Sequence, residues 1–224
     1  MSFVPNTTLP SLGSRQSTPH GGTLVFAAFL ISAVLAAIAL VITSGDGARA
    51  AGELVTRFSV LIFASSLLVE PLALLFPIRL FLIAAQERES LRLAFVAVCA
   101  FSLACIIAPA ELTDASLPAG AVFYIVCNGI VLLTMLFTSL RSTVRLLGLP
   151  AWRAMRVIST AYFWLAFSLS DIARLTRDSD AGGWYTFSLV FLIAAIIAVS
   201  VAHYSSRRKT KAVTEQLSEN PVAG

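Results

Sequence analysis

The sequence predicts an all-α membrane protein, a six-transmembrane-helix bundle, on three observations. Hydrophobic residues make up 58% of the 224 and charged residues only 12%, with a mean hydropathy of +0.86, which is the composition of an integral membrane protein. The charges are confined to short blocks between apolar runs. A helix needs about 20 apolar residues to cross about 30 Å of hydrocarbon, and six windows are that long: 23–43, 54–76, 90–109, 120–140, 155–175 and 184–204.

These windows divide the chain into a disordered leader, 1–22, a six-helix transmembrane domain, 23–204, and a basic, disordered tail, 205–224. The leader is rich in Ser, Thr, Pro and Gly with one arginine, Arg15, and buries nothing. The run from Thr23 to Thr43 is too long for the 7–15-residue apolar region of a signal peptide. It therefore counts as a retained span, although Ala48-Arg49-Ala50 loosely mimics a cleavage site. No connector is long enough to hold a soluble domain, so no fused flavin or nicotinamide domain is expected.

Orientation follows from the basic residues, which are retained near span ends on the cytoplasmic side. Arg15, Arg79, Arg88, Arg92, Arg141, Arg145, Arg153, Arg156, Arg207, Arg208, Lys209 and Lys211 belong to one face; Arg49, Arg57, Arg174 and Arg177 belong to the other. Twelve against four puts both termini in the cytoplasm, as does an even number of spans. The expected location is the inner (plasma) membrane of a bacterium. Topology accounts for the net charge of +4, so no nucleic-acid partner is implied.

The second window holds Arg57 near one end and Glu70, followed by Pro71, near the other. Ionisable groups in hydrocarbon are costly and are either paired or functional. Arg57 lies within a turn of the interface and can snorkel. Glu70 lies about two turns from Pro77, within reach of Arg79 or Arg141; the rival role is a proton relay or transport. From Pro77 to Arg92 the chain is first apolar and then heavily charged, which fits a short interfacial helix with Pro77 in its first turn. In the fifth window Tyr162, Phe163 and Trp164 are expected to pack as large rings, and Asp171 closes the apolar run. Ala33 and Ala37, and Ala194, Ala198 and Ala202, make small-residue ridges suited to close helix approach.

The stretch from Met135 to Arg174 carries Ser139, then Arg145-Leu146-Leu147-Gly148, then Trp152-Arg153 just ahead of a span. This order resembles the ferric reductase-like transmembrane domain, the cytochrome b-type six-helix bundle of metalloreductases. Leu68 to Leu72 and Leu91, Leu93, Ala94 and Phe95 are similar to its second and third spans. The resemblance covers about Leu54 to Arg174. It implies haem held by histidines on facing helices. At the matching positions, however, this chain has Phe101 or Ser102, Arg156, and Leu169 or Ser170, none of which carries an imidazole. Met155 stands one position from a ligand place and has no partner. Arg156, in place of a ligand, is expected to snorkel or to pair with an acid such as Glu70.

The chain has two histidines. A haem between His20 and His203 would require an ordered leader, and beside Tyr204 the plainer role for His203 is interfacial. Cys99, Cys105 and Cys127 form no Cys-x-x-Cys pair. Asp178 to Gly182 mimics the start of a calcium loop, yet its twelfth position is Leu189 rather than the required glutamate. No cofactor and no metal is expected. The tail cluster of Arg207, Arg208, Lys209 and Lys211 acts as a stop signal or meets anionic headgroups.

The candidate intramembrane or interfacial polar residues are thus Arg57, Glu70, Arg156, Asp171 and His203. The function expected is that of a haem-free membrane scaffold or subunit, partnered by the lipid bilayer and by another membrane or redox subunit. The alternative is transmembrane electron transfer or small-solute transport.

Overall fold

The computed structural model describes residues 20–43, 47–112, 118–177 and 182–219. Apart from short turns, those residues are helical: α1 (His20–Ile42), α2 (Gly47–Leu75), α3 (Arg79–Gln86), α4 (Arg88–Leu112), α5 (Ala119–Ser139), α6 (Arg141–Arg177) and α7 (Gly182–Glu219). Five of them, α1, α2, α4, α5 and α7, are long and apolar enough to cross a membrane. This is a multi-pass membrane protein. The window 155–175 lies in α6, which is not among the five. Its apolarity is diluted by Arg156, Ser159, Thr160, Ser168, Ser170 and Asp171.

Helix α2 is central and packs on α1, α4 and α7, while α5 lies against α4 and α6, and α6 against α7. Two cores result. One is small-grained: Ala28, Ala36, Ala39, Ala51, Val55, Ala94 and Val98 let α1, α2 and α4 approach closely. A Cβ on Gly47 would stand 3.2 Å from the Leu40 Cα and carbonyl oxygen, so the α1–α2 approach depends on that glycine. The buried ridge of α1 is Ala28, Ser32, Ala36 and Ala39. Ala37, on the ridge expected from the sequence, is exposed. In α7, likewise, Ala195 and Ala202 are buried and Ala194 is exposed. An alanine-rich helix offers several registers of four-residue spacing, and the larger neighbours decide which one packs.

The other core is aromatic. Phe63, Phe95, Phe163 and Phe167 are buried together. Phe95 lies 5.0 Å from Phe63 and 5.0 Å from Phe163, centroid to centroid, in the tilted and edge-to-face arrangements that ring quadrupoles favour. The aromatic packing expected around Phe163 is thus present, and these rings fill the interval between α6 and the α2–α4 pair.

Several hydroxyls inside the spans are satisfied locally, whereas Ser168 and Ser188 have no hydrogen bond of regular geometry among the described residues. Ser32, Thr56 and Thr134 donate to the carbonyl four residues back, and Ser59, Ser66 and Thr138 to that three back. Such back-bonding lets polar residues sit in a helix where no water can reach them. Helix α3 has no buried residue and exposes Leu80, Leu82 and Ile83, as a short helix on the bundle surface does. Helix α7 runs on to Glu219, past the boundary at 204 drawn from hydropathy. Arg, Lys, Glu, Gln, Ala and Leu make up nine of the fifteen residues from 205 to 219 and are good helix formers. The leader to Pro19 and the Asp178-to-Ala181 turn lie outside the described residues.

Candidate functional site

Arg49, Glu53 and Arg57 recur every four residues, which places them on one face of α2. On α6, Asp171 and Arg174 are one turn apart. The two faces meet at the end of the bundle opposite α3. There the Arg174 Nη1 donates to Glu53 Oε1 at 3.0 Å, and the Arg49 Nε lies 3.6 Å from the same oxygen. Helix α7 brings Trp184 and Tyr185. The Arg57 guanidinium carbon lies 5.4 Å from the Tyr185 ring centroid and 5.9 Å from that of Trp184. Its Nη2 donates to the Tyr185 hydroxyl at 3.4 Å, and the Arg174 guanidinium carbon lies 5.9 Å from the same ring centroid.

These residues border a cavity of about 590 Å³ that also touches Thr56, Cys105 and Tyr124, within the size range of small-molecule sites. Asp171 lines it and is only 6% exposed. The Ser188 hydroxyl lies within hydrogen-bonding reach of its carboxylate and Arg57 acts on it electrostatically, while Oδ2 and the Ser188 Oγ have no hydrogen bond of regular geometry among the described residues. The same is true of the Arg57 Nε. Asp171 and Arg57 thus line one cavity, each with a buried atom left without a hydrogen bond among the described residues, a state that costs about 1–3 kcal/mol per group.

The structure brings Arg57 and Asp171 together and sets the other candidates apart. Glu70 is exposed at the α3 end and accepts from Arg88 Nη1 at 2.5 Å. The expected partners, Arg79 and Arg141, are replaced because α4 begins at Arg88, directly beside the last turns of α2. Arg156 pairs with Glu89 rather than with Glu70, and its guanidinium carbon stacks 4.8 Å from the Trp152 ring centroid. Its side chain is 14% exposed, so it is held between α4 and α6 instead of snorkelling freely. His203 lies on α7 and His20 at the start of α1, but both side chains are outside the described residues.

The positions matched to haem ligands point to different surroundings, Ser170 to the Arg57–Asp171 cavity and Arg156 to a second cavity. Phe101 turns to α1, its ring 5.4 Å from Phe29. Ser102 turns to α2, with its hydroxyl 2.6 Å from the Thr56 hydroxyl. Leu169 is 63% exposed, and the core beside α6 is filled by phenylalanine rings. These residues do not fit a haem.

Comparison with family models, with curated proteins and with solved structures finds no match in any of the three.

Sequence reasoning missed Glu53, Trp184 and Tyr185 as parts of the site and treated Arg174 only as a topology charge. The four-residue spacing of Arg49, Glu53 and Arg57 was the available signal. Nothing in the order of residues announces that Tyr185, 128 positions from Arg57, is its ring partner.

Proposed function

We propose that this is a six-span, haem-free protein of a bacterial inner membrane with both termini in the cytoplasm, and that it binds a small zwitterionic solute in the Arg57–Asp171 cavity. The observation that carries the solute site is the pairing of opposite charges on one cavity wall, Asp171 from α6 and Arg57 from α2, each with a buried atom that has no hydrogen bond among the described residues. An amino-acid-sized ligand presents an ammonium to the first and a carboxylate to the second, and the Trp184 and Tyr185 rings give it an apolar wall. In support of six spans, α6 lies between α5 and α7 in the bundle, and the basic-residue asymmetry favours an arginine-rich cytoplasmic end. The order of residues in the α5–α6 turn resembles that of the ferric reductase-like bundle, and the positions matched to its haem ligands carry no imidazole, which supports the haem-free reading.

The test is a thermal-unfolding screen of purified protein against free amino acids, followed by Asp171→Asn and Arg57→Gln. At least one amino acid is expected to raise the midpoint, through its preferential binding to the folded state, and each replacement is expected to abolish the rise. A flat screen, or a rise that survives both replacements, defeats the solute site and returns the chain to the scaffold or subunit role. Protein made with ample haem is expected to show no Soret band.

A further inference from the structure

A second cavity, of about 560 Å³, opens between α6 and α7 at the α3 end, away from the solute site and independent of it. Its mouth carries three arginines, Arg92 from α4 and Arg153 and Arg156 from α6. Below them the walls turn apolar: Val157, Ala161 and Trp164 on one side, Ile196 and Val199 on the other. We propose that this groove binds one anionic phospholipid, with the headgroup phosphate at Arg92 and Arg153 and one acyl chain lying between α6 and α7.

The charges are arranged for this. Arg156 is already committed to Glu89 and to the Trp152 ring. Among the described residues, Arg92 and Arg153 have no ion pair. Two uncompensated guanidinium groups on different helices, flanked by a third, match a phosphate, which accepts from several directions at once. The geometry below them suits a hydrocarbon chain. From Arg156 to Trp164 the groove runs eight residues along α6, about 12 Å at 1.5 Å per residue. At its deep end the one indole donor is already used, since Trp164 Nε1 donates to the Leu192 carbonyl at 3.3 Å. Two hydroxyls, of Thr160 and Ser200, also line the groove, and that of Thr160 is spent on the Arg156 carbonyl at 2.8 Å, so the lower part remains mostly apolar. A free anion would satisfy the arginines and leave the apolar walls uncovered, whereas a lipid covers both. Basic pockets between membrane helices are recognised sites for such headgroups.

The experiment places the full chain in bilayer discs of mixed dioleoyl phosphatidylcholine and dioleoyl phosphatidylglycerol and counts retained lipids by native mass spectrometry. One phosphatidylglycerol per chain is expected, preferred over phosphatidylcholine by about tenfold or more, as two added charge contacts would give. Two variants attack different halves of the site. Arg92→Gln with Arg153→Gln removes the charges and keeps the groove; Ala161→Trp fills the groove and keeps every charge. Each is expected to abolish the preference while the unfolding midpoint in pure phosphatidylcholine stays near that of the parent, and each stands alone if the other fails to fold. Retention of no phosphatidylglycerol by the parent chain overturns the proposal. So does a preference that survives in a folded variant of either kind, or displacement of the lipid by millimolar inorganic phosphate, which would make this a bare anion site.

Discussion

The indole N–H of Trp152 donates to the carbonyl of Thr138 at 2.7 Å, a bond that reaches 14 residues back across the α5–α6 turn. The Thr143 hydroxyl does the same for Phe137 at 2.5 Å. The last carbonyls of a helix have no partner within it, so the start of α6 acts as the C-terminal cap of α5. Trp152→Phe keeps a ring under Arg156 and strands the Thr138 carbonyl. The expected loss is about 1–2 kcal/mol, visible as a lower midpoint in thermal unfolding; an unchanged midpoint would show that water replaces the indole.

Gly148 interrupts α6 with φ 75° and ψ 158°, a region that residues with a Cβ scarcely enter. Gly148→Ala is expected to cost about 1–3 kcal/mol. Gly129, in the middle of α5, is the control: a Cβ there meets nothing within 4 Å. Gly129→Ala should be neutral or stabilise by up to about 1 kcal/mol. Equal effects of the two changes would mean that the kink is not required.

Arg156 and Glu89 form one ion pair at the α3 end, and Glu70 and Arg88 another, with Arg88 also 3.9 Å from Glu89. In a double-mutant cycle, Arg156→Ala and Glu89→Ala should couple by about 0.5–3 kcal/mol. Arg156→Ala and Glu70→Ala should instead be nearly additive, since the two do not touch. The Glu70–Arg88 pair, with side chains 58% and 41% exposed, is expected to contribute under about 1 kcal/mol. Strong coupling of Arg156 to Glu70 would reverse this assignment.

Single cysteines introduced before residue 20, beside Arg145 and after residue 211, in a background without Cys99, Cys105 and Cys127, should react with an impermeant thiol reagent only from the cytoplasmic side. Reaction of the site beside Arg145 from outside would remove the six-span arrangement.

Much of the architecture was legible in the sequence because bilayer thickness sets helix length. Apolar runs bounded by charges mark α1, α2, α4, α5 and α7; of the segment after Pro77, the apolar part forms α3 and the charged part opens α4. Pairing was not legible. Hydropathy places Glu70 near a basic end, but only the entry of α4 beside α2 selects Arg88 from several arginines. The site was half legible: Arg57 and Asp171 stand out as charges in apolar surroundings, whereas Tyr185 looks like any interfacial tyrosine until α7 is laid against α2. The Leu147-Gly148 and Trp152 positions that suggested a family resemblance prove to have a local purpose, since they bend and fasten the α5–α6 turn.

The modest apolarity of α6 bears on how the protein is made. If α6 crosses the membrane, the groups that face Asp171 lie on α2, already synthesised, and on α7, still to come. A helix carrying Arg156 near one end, a buried acid near the other and several hydroxyls between them is a poor substrate for the insertion machinery by itself, because ionisable groups are disfavoured on insertion scales, by up to about 2.5–3.5 kcal/mol each at a helix centre and less toward its ends. Helix α7, long and apolar, would complete the hairpin and draw α6 in with it. Chains truncated after Arg177 and fused to a side-sensitive reporter should then report incomplete crossing, while chains extended through α7 should not. Full crossing by the truncated chain would mean that α6 enters unaided.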